Sequence, residues 1–133
     1  RVNFEHVKFN AVSKSLNFNN SQSGIEVNYT KNLITDWFNN NIKTDGLEGS
    51  LNVVVNSIDI KKTREDEYYR FEINLSIEFT EINQILNKSK TYKVNSLDYG
   101  DIKGNFSIND IENLNKNITL KSLQNINKKI MQM

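Results

Sequence analysis

The residue with the most direct chemical use is His6, the only histidine in the chain. A Ser-His-Asp triad or a histidine-rich metal site would have to include it. General-base catalysis also requires a nucleophile within hydrogen-bond reach of the imidazole. The sequence around His6, between Glu5 and Val7 in a predicted first strand, offers no such nucleophile. We therefore interpret His6 as a structural or exposed residue.

Carboxylates can perform acid–base chemistry without histidine, as the paired acids of glycosidases do. Asp36 and Asp59 are the candidates, because apolar residues lie beside them. Asp36, however, falls on a predicted helix where the polar face would also place it, and Glu72 and Glu78 lie on the polar face of a predicted strand. The chain has no cysteine either, which excludes a thiolate zinc site and a cysteine nucleophile. We predict no enzyme activity, no catalytic residue, no metal site and no cofactor.

Aromatic residues near basic ones can stack on single-stranded nucleic acid. Four tyrosines surround the predicted central hairpin: Tyr68, Tyr69, Tyr92 and Tyr99. Acidic residues offset the nearby lysines and arginines, and the formal net charge is only +1. A nucleic-acid-binding domain usually shows a strong basic excess. A core role or contact with a protein partner is favoured, and no nucleic acid is expected as a partner.

The strongest structural pattern lies at residues 69–79, where every second residue is large and apolar: Tyr69, Phe71, Ile73, Leu75, Ile77 and Phe79. The intervening residues are polar. Side chains alternate across a strand, so this segment predicts one long strand with a dry face and a wet face. Such a strand is typical of an antiparallel sheet that is covered on one side.

The first half of the chain predicts a strand at residues 2–9, a loop at 10–24 and then a helix. Asn28 or Thr30 is expected to cap that helix and Gly46 to stop it. Trp37 is its expected anchor on the dry face of the sheet. The next strand, 50–61, changes phase, which predicts a bulge near Asn56 and Ser57.

The second half begins with a charged hairpin tip at 61–67, followed by the long strand. A turn is predicted at 81–89, with a possible short helical turn, and a fourth strand at 90–97. Gly100 and Gly104 are expected to break the chain. Ser107, with Asp110 three residues later, predicts a capping box at the start of a terminal helix. Its apolar stripe predicts a local adjustment near Thr119.

This order, β-α-β-β-β-α, predicts a single domain over residues 1–133. Its fold class is α+β, a two-layer sandwich in which helices pack on one face of a mainly antiparallel sheet. A small hydrophobic ligand could bind between the helices and the sheet in such a fold. The residues expected to line that pocket are Trp37, Phe38, Phe71 and Tyr92.

Four segments together resemble small envelope lipoproteins of alphaproteobacteria: residues 34–38 (ITDWF), 42–49 (IKTDGLEG), 51–55 (LNVVV) and 106–112 (FSINDIE). In those proteins a helix bearing a tryptophan leads through a Gly-x-x-Gly turn into a strand. The element order is more distantly similar to lipopolysaccharide-assembly and ABC-transporter auxiliary lipoproteins. The sequence lacks the lipobox cysteine of these families, and no functional residue of theirs can be matched to it.

The resemblance implies a non-enzymatic periplasmic or outer-membrane-associated domain of a Gram-negative bacterium that binds another envelope protein. Its membrane attachment would be a lipid on a segment preceding Arg1. The binding surface would be the wet face of the sheet or an edge strand, with residues 2–9 as the candidate edge. The alternative is the ligand carrier described above. The oligomeric state stays open.

Overall fold

A computed structural model of the chain describes residues 4–19 and 22–133. In chain order the elements are β1 (Val7–Phe9), β2 (Ser13–Phe18), α1 (Ile25–Asn41), β3 (Ile42–Thr44), β4 (Ser50–Glu65), β5 (Tyr68–Asn83), β6 (Lys88–Lys103) and α2 (Ile108–Met131). The predicted residue Val2 lies outside the described residues.

The main sheet has four strands in the order β2-β4-β5-β6. Strands β4, β5 and β6 form an antiparallel meander of three strands with 16 residues each. β2 runs parallel to the first part of β4, and β1 pairs in parallel with β3 in a separate two-stranded sheet. Both helices pack against one face of the main sheet. The predicted α+β sandwich with a mainly antiparallel sheet is therefore confirmed.

The inner face of the sheet is the dry face that the sequence predicts. Five alternating residues of β5 are fully buried: Phe71, Ile73, Leu75, Ile77 and Phe79. The strand register between β4 and β5 shifts between Val55 and Ser57, which confirms the predicted bulge. Because of this shift, Val55 and Ile58 are both buried although three positions separate them.

Apolar packing holds α1 to this face, and a capping box stabilises the start of α2. Trp37 of α1 is only 1% exposed, and its ring meets Phe79 edge-on with centroids 6.3 Å apart. In α2, Ser107 accepts a hydrogen bond from the Asp110 backbone N–H at 3.1 Å, and the Asp110 carboxylate accepts one from the Ser107 N–H at 2.9 Å. The predicted capping box is confirmed. The expected adjustment near Thr119 does not interrupt α2, where Thr119 is buried and donates to the Asn115 carbonyl.

The predicted bounds of α1 are wrong at both ends. The helix begins at Ile25 after Gly24, whose φ is 134°, and no side chain caps it. It ends at Asn41, before Gly46. Its last turn contains no basic residue, but Lys14 of β2 donates from Nζ to the carbonyls of Phe38 and Ile42, at 2.7 Å each. This cation meets the negative end of the helix from a strand that the sequence predicted as loop.

The long strands extend further than predicted, and their turns are correspondingly short. β4 and β5 meet at a turn over residues 66–67, and β5 and β6 meet at a turn over residues 84–87. Gly100 lies within β6 and does not break it. A Cβ at Gly100 would lie 2.8 Å from Cδ1 of Ile118, so the absent side chain lets α2 approach the sheet closely. Gly104, with φ of 90°, follows the end of the strand.

One buried amide ties the two helices to the N-terminal segment. The Trp37 indole N–H donates to Oδ1 of Asn127 at 2.9 Å, and Nδ2 of Asn127 donates to the Glu5 carbonyl at 3.2 Å. Asn41 of α1 similarly donates to the Phe4 carbonyl at 2.8 Å. The segment before β1 is therefore bonded to both helices, and α1 is bonded to α2.

We expect Asn127→Leu to lower the free energy of unfolding by about 1–3 kcal/mol, because it leaves the buried Trp37 N–H without an acceptor. In a Trp37→Phe background the same change should cost about 1 kcal/mol less, since no indole N–H remains. Chemical denaturation of the four proteins measures this difference. Asn117→Leu, at an exposed position of the same helix, is the control and should change stability by less than about 0.5 kcal/mol. Equal costs in both backgrounds would contradict the bond's assigned role.

Candidate functional site: the outer face of the sheet

The outer face of the main sheet is the wet face of the sequence analysis. Both described helices pack on the inner face, so alternate side chains of β4, β5 and β6 project into solvent on the other side. Among the described residues of these three strands, two large apolar side chains on this face are more than half exposed: Leu97 is 61% exposed and Tyr99 is 56% exposed. Burial of such side chains against a partner would remove apolar surface from water, which stabilises a complex.

Strand pairing gathers these residues into a compact cluster with two charged neighbours. Tyr99 lies opposite Glu72 of β5, and Leu97 lies opposite Asn74. The guanidinium of Arg70 lies 3.9 Å from the centroid of the Tyr99 ring and 3.3 Å from Oε1 of Glu72. We call Arg70, Glu72, Leu97 and Tyr99 the outer-face cluster. Stacking and the ion pair together orient the Arg70 fork over the ring.

The positive charge of Arg70 is fixed over the physiological pH range. Partial burial would lower the pKa of Arg70, but its hydrogen bonds to Glu72 and Tyr68 outweigh that effect and raise it. A cleft of about 250 Å³ adjoins the cluster and is lined by Lys61, Thr63, Arg70 and Glu72. This surface therefore combines apolar area, a permanent cation and a carboxylate, which suits contact with a protein better than with a uniformly charged polymer.

β6 also forms one edge of the sheet. It pairs with β5 along one side, and in the described part of the chain no strand pairs with its other side. The Lys129 side chain donates to the backbone carbonyl of Asn95 at this edge. The outer-face cluster and an open strand edge are thus adjacent.

No cavity described here, lined by residues within 4–19 and 22–133, is lined by all four residues predicted to form a ligand pocket. Trp37, Phe38 and Phe71 are buried in the packed core. Tyr92 is half-buried, donates to Glu81 at 3.1 Å, and lines a cavity of about 140 Å³. Their role in ligand binding stays a prediction.

A larger groove of about 310 Å³ lies between the N-terminal halves of α1 and α2. Tyr29 and Lys116 face each other across it, with the lysine Nζ 5.9 Å from the ring centroid. Burial raises the pKa of the Tyr29 hydroxyl, so it stays neutral at physiological pH. None of the predicted pocket residues lines this groove.

The residues considered for catalysis are widely separated. His6 is exposed in the segment before β1, Asp36 is exposed on α1, and Asp59 is exposed on β4. Asp36 belongs to the helical layer and Asp59 to the outer face of the sheet, so the sheet lies between them. Within residues 4–19 and 22–133, no group of three or more His, Cys, Asp or Glu side chains is arranged to hold a metal ion.

The four tyrosines do not form one stacking platform. Tyr68 and Tyr99 lie on the outer face, whereas Tyr69 and Tyr92 lie on the inner face. Tyr69 is 2% exposed and donates its hydroxyl to Oδ1 of Asn115 at 2.7 Å. Of the four, Tyr99 belongs to the outer-face cluster, and Tyr68 lies beside it with a hydrogen bond to Arg70.

Sequence reasoning missed the outer-face cluster because it ended the fourth strand at residue 97. The three inner positions of β6 that follow Val94 are Ser96, Asp98 and Gly100, so the apolar alternation is interrupted until Ile102. Asp98 is nevertheless buried, where it accepts hydrogen bonds from Ser96 and from Asn125 of α2. A strand is not recognised from its sequence pattern when a polar residue occupies an inner-face position and one of its hydrogen-bond partners, here Asn125, is distant in sequence.

The strand predicted at residues 2–9 is shorter than expected and lies outside the main sheet, as an edge of the two-stranded sheet that it forms with β3. Residues 7–9 form β1, which pairs with β3 rather than lying free, and Val7 is buried. The ring of Phe9 stacks on Phe79 with centroids 5.9 Å apart. The open edges of the main sheet are β2 and β6.

Comparison with known proteins gives structural neighbours only. No protein-family model and no curated protein sequence matches the chain. A minor lipoprotein from Acinetobacter baumannii aligns over 90% of this chain and 87% of its own, with 8% identity and a TM-score of 0.43. A protein assigned as a lipoprotein from Caulobacter crescentus aligns over 85% and 83%, with 9% identity and a TM-score of 0.41.

A third neighbour, assigned as a homologue of the neuraminyllactose-binding hemagglutinin, comes from Helicobacter pylori. It aligns over 97% of this chain and 90% of its own, with 9% identity and a TM-score of 0.36. Two of these neighbours are thus lipoproteins of Gram-negative bacteria. The alphaproteobacterial and lipopolysaccharide-assembly parts of the resemblance stay predictions. Within the described residues, no helix has both the length and the apolar character that crossing a bilayer requires.

If the outer-face cluster serves binding, Tyr99→Ala should lower the free energy of unfolding by less than about 1 kcal/mol, because the side chain is mostly exposed. Phe71→Ala, on the inner face of the neighbouring strand, should cost about 3–5 kcal/mol. Urea denaturation of both variants provides the comparison. Similar losses would indicate that Tyr99 has a structural role.

Removal of residues 1–9 should lower the melting temperature and the helical circular dichroism signal. It deletes the acceptors of Asn41 and Asn127 and the stacking partner of Phe79. A truncated protein with unchanged stability would contradict the packing of this segment described above.

Proposed function

We propose that this chain is a non-enzymatic binding domain of the Gram-negative cell envelope, and that it binds another protein through the outer face of its sheet. The domain would act on the periplasmic side, attached to a membrane by a lipid on a segment that precedes Arg1. The outer-face cluster would form the centre of the contact.

The observation that carries the proposal is the exposure of Leu97 and Tyr99 beside Arg70. Tyrosine and arginine are enriched among the residues that contribute most to protein–protein affinity. A tyrosine brings a large rigid surface, and the stacked Arg70 fork can bind a partner's carboxylate or carbonyl oxygens. Charged residues elsewhere on the face, such as the Lys93–Glu78 pair at 3.8 Å, would lie at the rim.

The placement in the envelope is supported by the resemblance of four sequence segments, at residues 34–38, 42–49, 51–55 and 106–112, to envelope lipoproteins. A near-neutral net charge agrees with recognition of a protein rather than of nucleic acid or an anionic membrane surface.

The alternative function, a carrier of a small hydrophobic ligand, has weaker support. Cavities that hold such ligands usually measure about 300–1,000 Å³. The cavity beside Tyr92 measures about 140 Å³, and the other three predicted pocket residues are packed in the core. The groove between the helices, of about 310 Å³, and a groove of about 500 Å³ at the start of α1 are large enough, but none of the predicted pocket residues lines either of them. Protein binding is therefore the better-supported function.

Affinity capture from envelope extracts of the source organism tests the proposal. We expect Arg70→Ala to weaken capture of the partner by about tenfold or more, because truncation removes a central contact. Arg64→Ala is the matched control, since that guanidinium lies on the other face of the sheet, 5.5 Å from the Phe106 ring centroid. Equal capture by wild-type protein and both variants would reject the outer face as the binding surface.

The mass of the natively processed protein tests its attachment. An N-terminal cysteine carrying a diacyl-type modification would support a lipid anchor. An unmodified mature chain without co-purifying envelope proteins would contradict the envelope assignment.

A further inference from the structure

We propose that β6 also pairs, in antiparallel orientation, with β6 of a second copy of this chain. The two copies would form one continuous eight-stranded sheet with both outer faces on the same side. The two-fold axis would pass beside Leu97. This inference goes beyond the proposed function, because it concerns the open strand edge rather than the outer face.

The backbone of β6 presents hydrogen-bonding groups along this edge. Since the carbonyl of Asn95 accepts from the Lys129 side chain, it points away from β5. Backbone groups alternate sides along a strand, so the N–H and C=O groups of Lys93, Leu97, Tyr99 and Asp101 also point outward. Opposite Leu97 of a second copy, Leu97 would exchange both of its backbone hydrogen bonds. In this register the Asn95 carbonyl would accept from the Tyr99 N–H of the second copy in place of Lys129.

Charge complementarity selects this register. With Leu97 opposite its own counterpart, Lys93 lies opposite Asp101 of the second copy, and by symmetry the same pair forms twice. A shift by one pair of residues in one direction would place Lys93 opposite Lys103, and in the other direction opposite Tyr99. Opposite charges on directly paired positions stabilise a sheet, whereas like charges destabilise it. The axis also buries two exposed leucines against each other.

The rest of the sheet boundary is shorter or more interrupted than β6, which carries lysines of its own and the Lys129 contact at Asn95 but is long and regular. β2 is a short edge of six residues. The part of β4 beyond β2 follows a bulge and carries Lys62, which pairs with Glu26 of α1. Bulges, lysines and short strands are the usual protections against edge pairing. The register of β6 against β5 is regular over all 16 residues, with no bulge.

A cysteine at the axis tests the register, and the chain has no native cysteine to interfere. In Leu97→Cys the two Cα atoms would lie about 5.5 Å apart, within the range of a disulfide. We expect mild oxidation to convert Leu97→Cys to a covalent dimer. Tyr99→Cys is the matched control: its Cα atoms would be roughly 13 Å apart across the axis, too far for a disulfide. Equal cross-linking of both variants, or none of Leu97→Cys, would overturn the proposal.

Charge exchange provides the second test without covalent chemistry. We expect Lys93→Glu and Asp101→Lys each to weaken the dimer by about tenfold, and the double variant to restore it. Within one chain these positions are about 26 Å apart, so rescue requires contact between copies. Sedimentation measures the dissociation constant, and thermal unfolding checks that each variant is folded. A monomeric wild-type protein, or failure of the folded double variant to recover, would contradict the pairing.

These measurements use the purified chain alone. A monomeric result would reject the second copy as the partner of β6 and leave the capture experiment with Arg70→Ala unaffected. Conversely, loss of the proposed partner binding would leave the disulfide result standing.

Discussion

The buried hydrogen bond between Trp37 and Asn127 is the constraint on which the arrangement of the layers depends. The residues are 90 positions apart in the chain, and their contact joins α1 to α2 on one side of the sheet. The same amide holds the N-terminal segment through Glu5. Its acceptor and donor are therefore both satisfied, as a buried amide requires. With both helices fixed to the inner face, the outer face of the meander is left to solvent.

Polar side chains fix the position of α2 along the sheet, while apolar ones provide most of the burial. Asn115 accepts from Tyr69 of β5, and Asn125 donates to Asp98 of β6. These directional bonds specify one orientation of the helix, which apolar packing alone specifies less sharply. The missing side chain at Gly100 then permits the close approach. The result is a long edge strand, β6. Its inner face is covered by α2, and the strand edge that faces away from β5 pairs with no other strand in the described part of the chain.

The sequence predicted those parts of the fold in which local patterns and tertiary packing agree. Three features could be predicted because each depends on residues close together in the chain: the alternation of β5, the bulge after Val55 and the capping box at Ser107. The end of α1 could not be predicted, because the cation that binds its last carbonyls is Lys14 of β2, which is distant in sequence. The second half of β6 could not be predicted either. Its buried Asp98 is satisfied by bonds to Ser96 and to the distant Asn125 of α2, which the local pattern does not contain.

The candidate site was predicted only in part. The wet face was expected as one of two possible surfaces, but the pairing of Arg70 with Tyr99 depends on the extension of β6 past residue 97. The expected edge was the N-terminal segment, of which residues 7–9 pair with β3 in a separate two-stranded sheet, while the edges of the main sheet are β2 and β6. Edge strands are set by strand order, and strand order depends on long-range pairing that local patterns do not contain.

Radical footprinting of the protein in intact cells, compared with the purified protein in its own oligomeric state, tests the central claim that the outer face is a binding surface. Leu97 and Tyr99 are well suited because both are more than half exposed in the free chain. If the account is correct, both residues lose reactivity in cells, whereas the exposed Leu47 of the loop before β4 keeps its own. Unchanged reactivity of Leu97 and Tyr99 in cells would contradict it.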